Sequence, residues 1–275
     1  MSSVRADGPE PPSGERTAGC GLALIHGGWH TAACWTPTIT ALGRRAPTLP
    51  VVPVDLPGRG SAPGDLRSLT LDQCVDSVID QIERANLEEV VVAAHSMGGL
   101  SAPQVVARLG TRRVRRLVLI AAVVPPEGKR MLDLIPRPAR WAAAWFFRDG
   151  APPRRPPRRL FARWWFGSDL SREQREHLYR QLCPESTGFF HTTVTRADLP
   201  SCVPRTWILT GNDRTIGPRQ QRRNMANLGR IDEIVHVDAG HDVMIGQPHR
   251  LAEILADQCG RTPISAPSSP TDPSE

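Results

Sequence analysis

The stretch "VVVAAHSMGGL", residues 90–100, passes directly from a run of apolar residues into a serine flanked by very small residues. Continuous apolar runs, without alternation, are typical of strands that are buried on both faces of a parallel sheet. If such a strand turns into a helix within one or two residues, the turn residue is strained and its neighbours must be small. Ala94, Gly98 and Gly99 meet that requirement. The stretch therefore predicts that Ser96 stands above the sheet at a helix N-terminus, where free N–H groups favour a developing negative charge.

The same letters allow a plainer interpretation. Ser-Met-Gly-Gly could be an ordinary helix N-cap with a glycine turn, and Ala94 stands where the usual G-x-S-x-G pattern has its first glycine. The strand pattern before Ser96 and the helix pattern after it favour a nucleophile over a simple cap.

Other parts of the chain repeat the alternation of strand and helix. The further apolar runs are "GLALIHG", "PVVPVDLPG", "VRRLVLIAAV", "RTWILTGND" and "DEIVHVDAGH". Between them, Leu71 to Ala85 has apolar residues at helical spacing, and Thr70 with Gln73 forms a plausible capping box. Further helices are expected at Ser96–Leu109, Arg219–Leu228 and Pro248–Gln258. Alternation of this kind predicts a doubly wound α/β fold.

Length and composition predict one domain with an insertion. The chain has 275 residues, which suits a single α/β domain at 20–261. Residues 1–19 and 262–275 are rich in Pro, Ser and Gly and are expected to be disordered. From about 125 to 204 the strands stop and bulky aromatics cluster, so this part is predicted to be a mostly helical cap. Its aromatic residues would form a satellite core, and some would line a cleft at the carboxyl edge of the sheet.

Charge and cysteine content limit the partners. The chain carries 34 Lys and Arg against 28 Asp and Glu, and the surplus is almost entirely arginine, concentrated in the cap. This predicts either a solvated basic surface or an anion-steering patch, with no nucleic-acid motif beside it. Six cysteines without CxxC spacing argue against a zinc site or a redox pair. The sequence shows neither a signal-peptide pattern nor an apolar run long enough to span a membrane. We therefore expect a cytoplasmic protein that is a monomer or a homodimer and has no nucleic-acid or membrane partner.

A serine is a poor nucleophile unless a histidine takes its proton and an acid orients that histidine. Asp213 directly follows one predicted strand and His241 follows the next, which gives the order Ser, Asp, His. Asp238 is the second candidate for the acid. His95 lies next to Ser96 and would point away from it, so a structural role is expected.

An oxyanion hole needs two backbone donors. The N–H of Met97, directly after the serine, is one candidate, and the N–H of Gly28 in the loop "HGGWH" is the other. A glycine turn leading into a helix is compatible with this loop as well. Trp29 and His30 of the same loop are the candidate substrate-binding residues.

Taken together, these motifs resemble the α/β-hydrolase superfamily over most of residues 20–260. "HGGWHTAACW" is similar to the loop of the group that contains small esterases, plant methyl esterases and hydroxynitrile lyases, and "VDLPGRG", "AHSMGG", "TGNDRTI" and "DAGHDVMIGQP" follow in the group's order. The resemblance implies a mostly parallel doubly wound sheet with a helical cap inserted after the sixth core strand. Hydroxynitrile lyases of this group have a lysine directly after the catalytic histidine; here Asp242 stands there, which disfavours lyase chemistry. The long arginine-rich cap departs from the esterase pattern.

The leading hypothesis is a serine hydrolase that acts on a small-molecule ester or acyl substrate through an acyl-enzyme, without metal or organic cofactor. An alternative is a natural-product tailoring enzyme, such as an acyltransferase, cyclase or carbon–carbon bond hydrolase, with the same triad. A non-catalytic ligand-binding protein is a third possibility, which an intact triad would argue against.

Overall fold

The computed structural model describes residues 17–148 and 151–261. In these residues six strands form one sheet in the order β2-β1-β3-β4-β5-β6, and every neighbouring pair is parallel. The strands are β1 (Thr17–Ile25), β2 (Val51–Val54), β3 (Leu87–His95), β4 (Val114–Ile120), β5 (Arg205–Thr210) and β6 (Glu233–Val237). The sheet is the doubly wound one that the alternating sequence predicts.

Helices cover both faces of this sheet. Within the described ranges they are α1 (Thr36–Arg45), α2 (Leu71–Arg84), α3 (Ala102–Leu109), α4 (Arg137–Phe146), α5 (Arg159–Trp165), α6 (Arg172–Gln181), α7 (Pro218–Leu228), α8 (Val243–Gly246) and α9 (Pro248–Gly260). Alternate residues of β1 enter two separate cores: Leu22 packs with α1 and α9, whereas Ala23 packs with α2, α3 and α7. The continuous apolar pattern of the central strands follows from this burial on both faces.

The predicted helix at 71–85 is confirmed as α2. The Oγ1 of Thr70 accepts from the N–H of Gln73, and the Gln73 side chain accepts from the N–H of Thr70, which is the predicted capping box. The segment predicted as one helix from Ser96 divides into a 3₁₀ turn at Ser96–Leu100 and α3.

Two sheet predictions need correction at the edges. Strand β6 was expected to be fully buried, but it lies at the end of the sheet, and the side chain of Ile234 is 41% exposed. An edge strand has a neighbour on one side only, so part of its surface stays in solvent. Residues 17–19, expected to be disordered, belong to β1, where Thr17 pairs with Leu87 of β3. Residues 1–16 and 262–275 lie outside the described residues.

The insertion lies between β4 and β5 and contributes α4, α5 and α6. It was expected after the sixth core strand; in the described chain it follows the fourth of six strands. No residue of α4 is buried, whereas Phe166 and Leu178 of the later cap pack into the core shared with α1 and α9. The cap is therefore anchored at its C-terminal half and exposed around α4.

All six cysteines are free thiols. No helix among the described residues is long and apolar enough to pass through a membrane.

Candidate active site

Ser96 occupies a sharp turn between β3 and the 3₁₀ turn that follows. Its φ of +50° lies in the left-handed region, where an L-residue is strained. Glycine is required around it: a Cβ on Gly27 would lie 2.8 Å from the Cβ of Ser96, and a Cβ on Gly99 would lie 2.7 Å from the carbonyl oxygen of Val123. The small residues of the opening motif thus allow three backbone segments to meet beside the serine.

The carboxyl ends of β3, β5 and β6 bring three predicted side chains together. The Nε2 of His241 lies 3.0 Å from the Oγ of Ser96, and its Nδ1 lies 2.7 Å from the Oδ2 of Asp213. Burial lowers the pKa of His241, but the charge of Asp213 and the hydrogen bond to it outweigh burial, so the pKa is raised above 6.5. Burial raises the pKa of the Asp213 carboxyl, but the charge of His241 and the hydrogen bond to it outweigh burial, so this pKa is lowered. This geometry can transfer a proton from the hydroxyl to the imidazole.

Asp213 is held by its own loop. Its Oδ1 accepts from the N–H groups of Thr215 at 2.7 Å and Ile216 at 2.8 Å, and its Oδ2 accepts from the hydroxyl of Thr210 at 3.1 Å. Asp238, the second candidate for the acid, is exposed and accepts from Asn212. Of the two candidate acids, Asp213 is the one that contacts His241.

His95 has the structural environment that its position predicts. Its Nε2 lies 3.0 Å from the backbone oxygen of His241, so this nitrogen carries the hydrogen and donates. Burial lowers the pKa of His95 to about 3, which keeps the ring neutral. His95 thereby fixes the main chain of the histidine that faces Ser96.

The candidate oxyanion donors lie side by side. A Cβ on Gly28 would lie 3.1 Å from the Sδ of Met97, so the loop after β1 touches the residue after the serine. Neither the N–H of Gly28 nor that of Met97 donates to an acceptor among the described residues. Two unpaired donors beside a serine hydroxyl are the arrangement that a tetrahedral oxyanion needs.

The peptide unit between Gly28 and Trp29 is held at both ends. Its carbonyl oxygen lies 2.6 Å from the Nδ1 of His30, and its N–H donates to the Oε2 of Glu185 at 2.9 Å. Trp29 itself has a φ of +60°. Because this peptide immediately follows the Gly28 N–H, the two contacts fix the direction of that candidate donor.

His30 and Glu185, which hold this peptide unit, are each paired with an oppositely charged side chain in the interior. The Nε2 of His30 lies 3.0 Å from the Oδ2 of Asp242, and Arg59 forms an ion pair with Glu185. Since both nitrogens of His30 face acceptors, both carry hydrogens and the ring is an imidazolium. Burial lowers the pKa of His30, but Asp242 outweighs it and the pKa is raised. Substrate contact at His30 stays a prediction; in the structure its side chain is 1% exposed and both of its nitrogens have partners within the chain.

Aromatic side chains of the cap close over the site. The ring of Phe166 stacks on His241 with centroids 5.8 Å apart, and Trp29 contacts Phe147, Phe166 and Phe190. Ser96 is accordingly only 8% exposed. Beyond Trp29 lies a cavity of about 550 Å³ lined by Trp29, Phe146, Phe147, Phe161, Trp165, four prolines and two arginines. The Nε1 of Trp29 is buried without a hydrogen-bond partner in the described chain.

His95, His241 and Asp242 place ligand-type atoms within 4.8 Å of one another, the spacing of a metal site. Both nitrogens of His241 are engaged by Ser96 and Asp213, and Asp242 is engaged by His30. A metal would have to break these bonds, so the arrangement fits a proton-transfer network better than a metal centre.

Sequence reasoning did not identify Glu185, Arg59 or the partnership of His30 with Asp242. Glu185 lies in an irregular part of the cap without a strand or helix pattern, and no sequence signal marks it. Asp242 was noted only as an acid in place of a lysine. Burial of both side chains, which identifies the pair, is a property of the fold and cannot be read from the sequence.

The chain is similar to known hydrolases in sequence and in fold. Residues 22–254 match the model of the alpha/beta hydrolase family. The chain is 26% identical over 245 residues to a carbendazim hydrolyzing esterase of Nocardioides sp. (strain SG-4G), covering 86% of this chain and 98% of that protein. An extracellular alpha/beta-hydrolase from a Paenibacillus species is similar in structure, with a TM-score of 0.75, 22% identity and coverage of 89% of this chain and 100% of the other. A methylesterase from Arabidopsis has a TM-score of 0.68, 19% identity and coverage of 86% and 98%.

The family match covers the sheet and the loops that carry Ser96, Asp213 and His241. Since one structural neighbour is extracellular, the cytoplasmic location stays a prediction. The chain belongs to the alpha/beta hydrolase family, and it is an enzyme of the hydrolase class with esterases among its named relatives.

Proposed function

We propose that the protein is a serine carboxylesterase that works through an acyl-enzyme. The observation that carries the proposal is the hydrogen-bonded chain from Ser96 through His241 to Asp213, with contacts of 3.0 and 2.7 Å. All three residues lie at the carboxyl edge of one parallel sheet, next to the two unpaired N–H groups of Gly28 and Met97.

In the first half-reaction the Oγ of Ser96 attacks the ester carbonyl while the Nε2 of His241 takes its proton. Asp213 keeps the hydrogen on Nδ1, so that Nε2 is free to accept, and it stabilises the imidazolium that forms. The oxyanion lies against the N–H groups of Gly28 and Met97. His241 then gives its proton to the leaving alcohol, and the acyl group stays on the serine.

In the second half-reaction water replaces the alcohol. His241 takes a proton from water while the water oxygen bonds to the acyl carbon. Collapse of this second tetrahedral intermediate breaks the bond between the acyl carbon and the Oγ of Ser96, His241 returns the proton to that oxygen, and the carboxylic acid is released. The reaction uses only groups of the chain and requires neither metal nor organic cofactor.

The cap favours an apolar ester. The cavity beyond Trp29 has the size range of pockets for small organic ligands, and its aromatic and proline walls provide apolar contact. The unpaired Nε1–H of Trp29 offers one donor for a substrate oxygen. Trp29 thus remains the candidate substrate-binding residue.

A non-catalytic binding role is less consistent with the geometry, because binding requires neither the orienting Asp213 nor the strained Ser96. The tailoring alternative shares every group of the site. A screen that pairs ester hydrolysis with transfer to added alcohols separates the two: dominant transfer would favour the acyltransferase.

The test compares the purified protein with Ser96→Ala. We expect hydrolysis of p-nitrophenyl acetate and butyrate, a loss of several orders of magnitude in the alanine variant, and one fluorophosphonate adduct on Ser96 by intact mass and peptide mapping. Ser101→Ala is the matched control, since Ser101 is also buried after β3 and donates only to the backbone oxygen of Gly98. Equal turnover by wild type and Ser96→Ala, with no adduct, would refute the assignment.

A further inference from the structure

The cap carries an exposed aromatic surface that the proposed chemistry does not use. Five large apolar side chains project from α4 and α5, and four of them form two pairs spaced by four residues, Trp141 with Trp145 and Leu160 with Trp164. The exposed fractions are 83% for Trp141, 72% for Trp145, 73% for Leu160, 52% for Phe161 and 57% for Trp164. Among the described residues, every large hydrophobic side chain with comparable exposure lies in the cap, except Ile234. We call these five side chains of the cap, together with the exposed Arg137, Arg155, Arg158 and Arg163, the docking face.

The size of this apolar surface is unusual for a chain in water. An aromatic side chain presents about 150–250 Å² when fully accessible, so the docking face leaves on the order of 700 Å² of apolar area in solvent. Contiguous apolar patches of ordinary monomers reach a few hundred Å². Because no residue of α4 is buried, this helix gains little from the fold that carries it.

The charge of the same segment is one-sided. Residues 137–166 contain eight arginines and a single acidic residue, Asp149. Arg137, Arg155, Arg158 and Arg163 are exposed, and none of them has an acidic partner among the described residues. Arginine and tryptophan projecting together from short helices are the combination that inserts apolar rings below charged headgroups and pairs cations with those headgroups.

The docking face also adjoins the route to the serine. The end of α4 contributes Phe146 and α5 contributes Phe161 and Trp165 to the cavity that reaches Trp29. The docking face, which includes Phe161, therefore borders this cavity. An apolar molecule leaving a lipid layer at this point would meet apolar walls as far as the residue beside Gly28.

We propose that the docking face binds the surface of an anionic lipid layer, so that the cavity opens at the interface. The proposed supply of apolar esters from that layer rests on the proposed esterase function, whereas binding itself does not. Binding of this kind does not require a helix that spans the layer, because a surface-bound helix needs only an apolar face and flanking cations.

Charge decides between the possible occupants. A second copy of the chain would bring the arginines of one docking face against those of the other. A nucleic acid would match the charge, but it would leave Leu160 and the alanine-rich α4 without an apolar environment. An anionic lipid layer supplies both the phosphates and the apolar interior.

The experiment measures flotation of the full chain with vesicles of phosphatidylcholine alone and of phosphatidylcholine with about a third phosphatidylglycerol. We expect binding to the anionic vesicles only, with a blue shift of tryptophan emission. Trp141→Ala with Trp145→Ala should lower the partition coefficient at least tenfold. Arg158→Glu with Arg163→Glu should lower it at least twentyfold, since each arginine near an anionic surface contributes roughly fivefold.

A matched control changes the net charge equally but elsewhere. Arg44→Glu with Arg112→Glu, both exposed and remote from the cap in sequence, should retain at least half of the binding. Equal losses in the two charge-reversed proteins would show a bulk-charge effect and overturn the docking face. No binding to anionic vesicles, or binding that is indifferent to the tryptophan substitutions, would overturn it too.

Two further outcomes would assign the surface to another occupant. Self-association of the wild type that Trp141→Ala with Trp145→Ala abolishes, measured by light scattering, would identify a homodimer contact and refute lipid docking. Tighter binding to a single-stranded oligonucleotide than to vesicles would refute it as well. Because Ser96→Ala should bind vesicles like the wild type, failure of the esterase proposal and failure of the docking proposal give different results.

Discussion

Substituting Asp213 by asparagine tests whether Asp213 decides which ring nitrogen of His241 carries the hydrogen. The Oδ1 of Asp213 accepts from two backbone N–H groups, those of Thr215 and Ile216, so an asparagine must place its oxygen there. Its amide nitrogen then occupies the Oδ2 position, 2.7 Å from the Nδ1 of His241. An amide donates where the carboxylate accepted, which drives the hydrogen of His241 to Nε2, facing the Oγ of Ser96 at 3.0 Å.

A nitrogen that carries a hydrogen cannot take the proton of Ser96. We expect kcat to fall by about 10⁴, the effect of the wrong tautomer in a Ser-His-Asp triad, or roughly 5 kcal/mol of activation free energy. The free energy of unfolding should change by less than about 1 kcal/mol, because every backbone donor of the loop keeps an acceptor. In Asp213→Ala the two backbone donors lose their acceptor, and the free energy of unfolding should fall by about 2–6 kcal/mol, at roughly 1–3 kcal/mol for each donor.

The assay combines p-nitrophenyl butyrate turnover, urea denaturation and ¹⁵N chemical shifts of the histidine rings, which report the tautomer directly. Asp238→Asn is the control, since Asp238 is exposed at the same edge of the sheet and contacts Asn212. The reasoning is refuted if Asp213→Asn keeps more than a tenth of wild-type kcat, or if its His241 still carries the hydrogen on Nδ1.

Three further predictions concern the surroundings of the triad. Since only neutral His241 accepts a proton and its pKa is raised, kcat/KM should rise with pH through a pKa above 6.5, as a pH–rate profile would show. Gly27→Ala should lower kcat at least a hundredfold, because the added Cβ would collide with the Cβ of Ser96. Gly43→Ala, whose Cβ would have nothing within 4 Å, should leave kcat unchanged. Steady-state kinetics of the two variants test this prediction. The pKa of Asp242 is lowered and that of His30 is raised, so their ion pair should stabilise the fold most between about pH 4 and 6.5. Urea denaturation should show that the difference in unfolding free energy between wild type and Asp242→Asn shrinks above that range.

The fold was predictable because its signals are local. Continuous apolar runs marked the central strands, and small residues around Ser96 marked the turn that carries it. The candidate triad followed from strand order alone, since parallel strands end at one edge and Asp213 and His241 directly follow two of them. These inferences required no knowledge of how distant segments pack.

The unpredicted part of the site depends on such packing. Glu185 reaches the N–H of Trp29 across 156 residues of sequence, and His30 reaches Asp242 across 212. Nothing in the local pattern of either residue specifies its partner. The same limit applies to His30: its place in the loop predicts substrate contact, and only the fold shows that a buried acid, Asp242, occupies its second nitrogen.

The cap does more than cover the site, because it contacts the loops that carry the candidate oxyanion donor and His241. Glu185 accepts from the N–H of Trp29 beside the candidate oxyanion donor, Asp169 accepts from the N–H of Gly240 at 2.5 Å directly before His241, and Phe166 stacks on the ring of His241. A movement of the cap away from the sheet would therefore break contacts beside the candidate oxyanion donor and beside His241 at the same time.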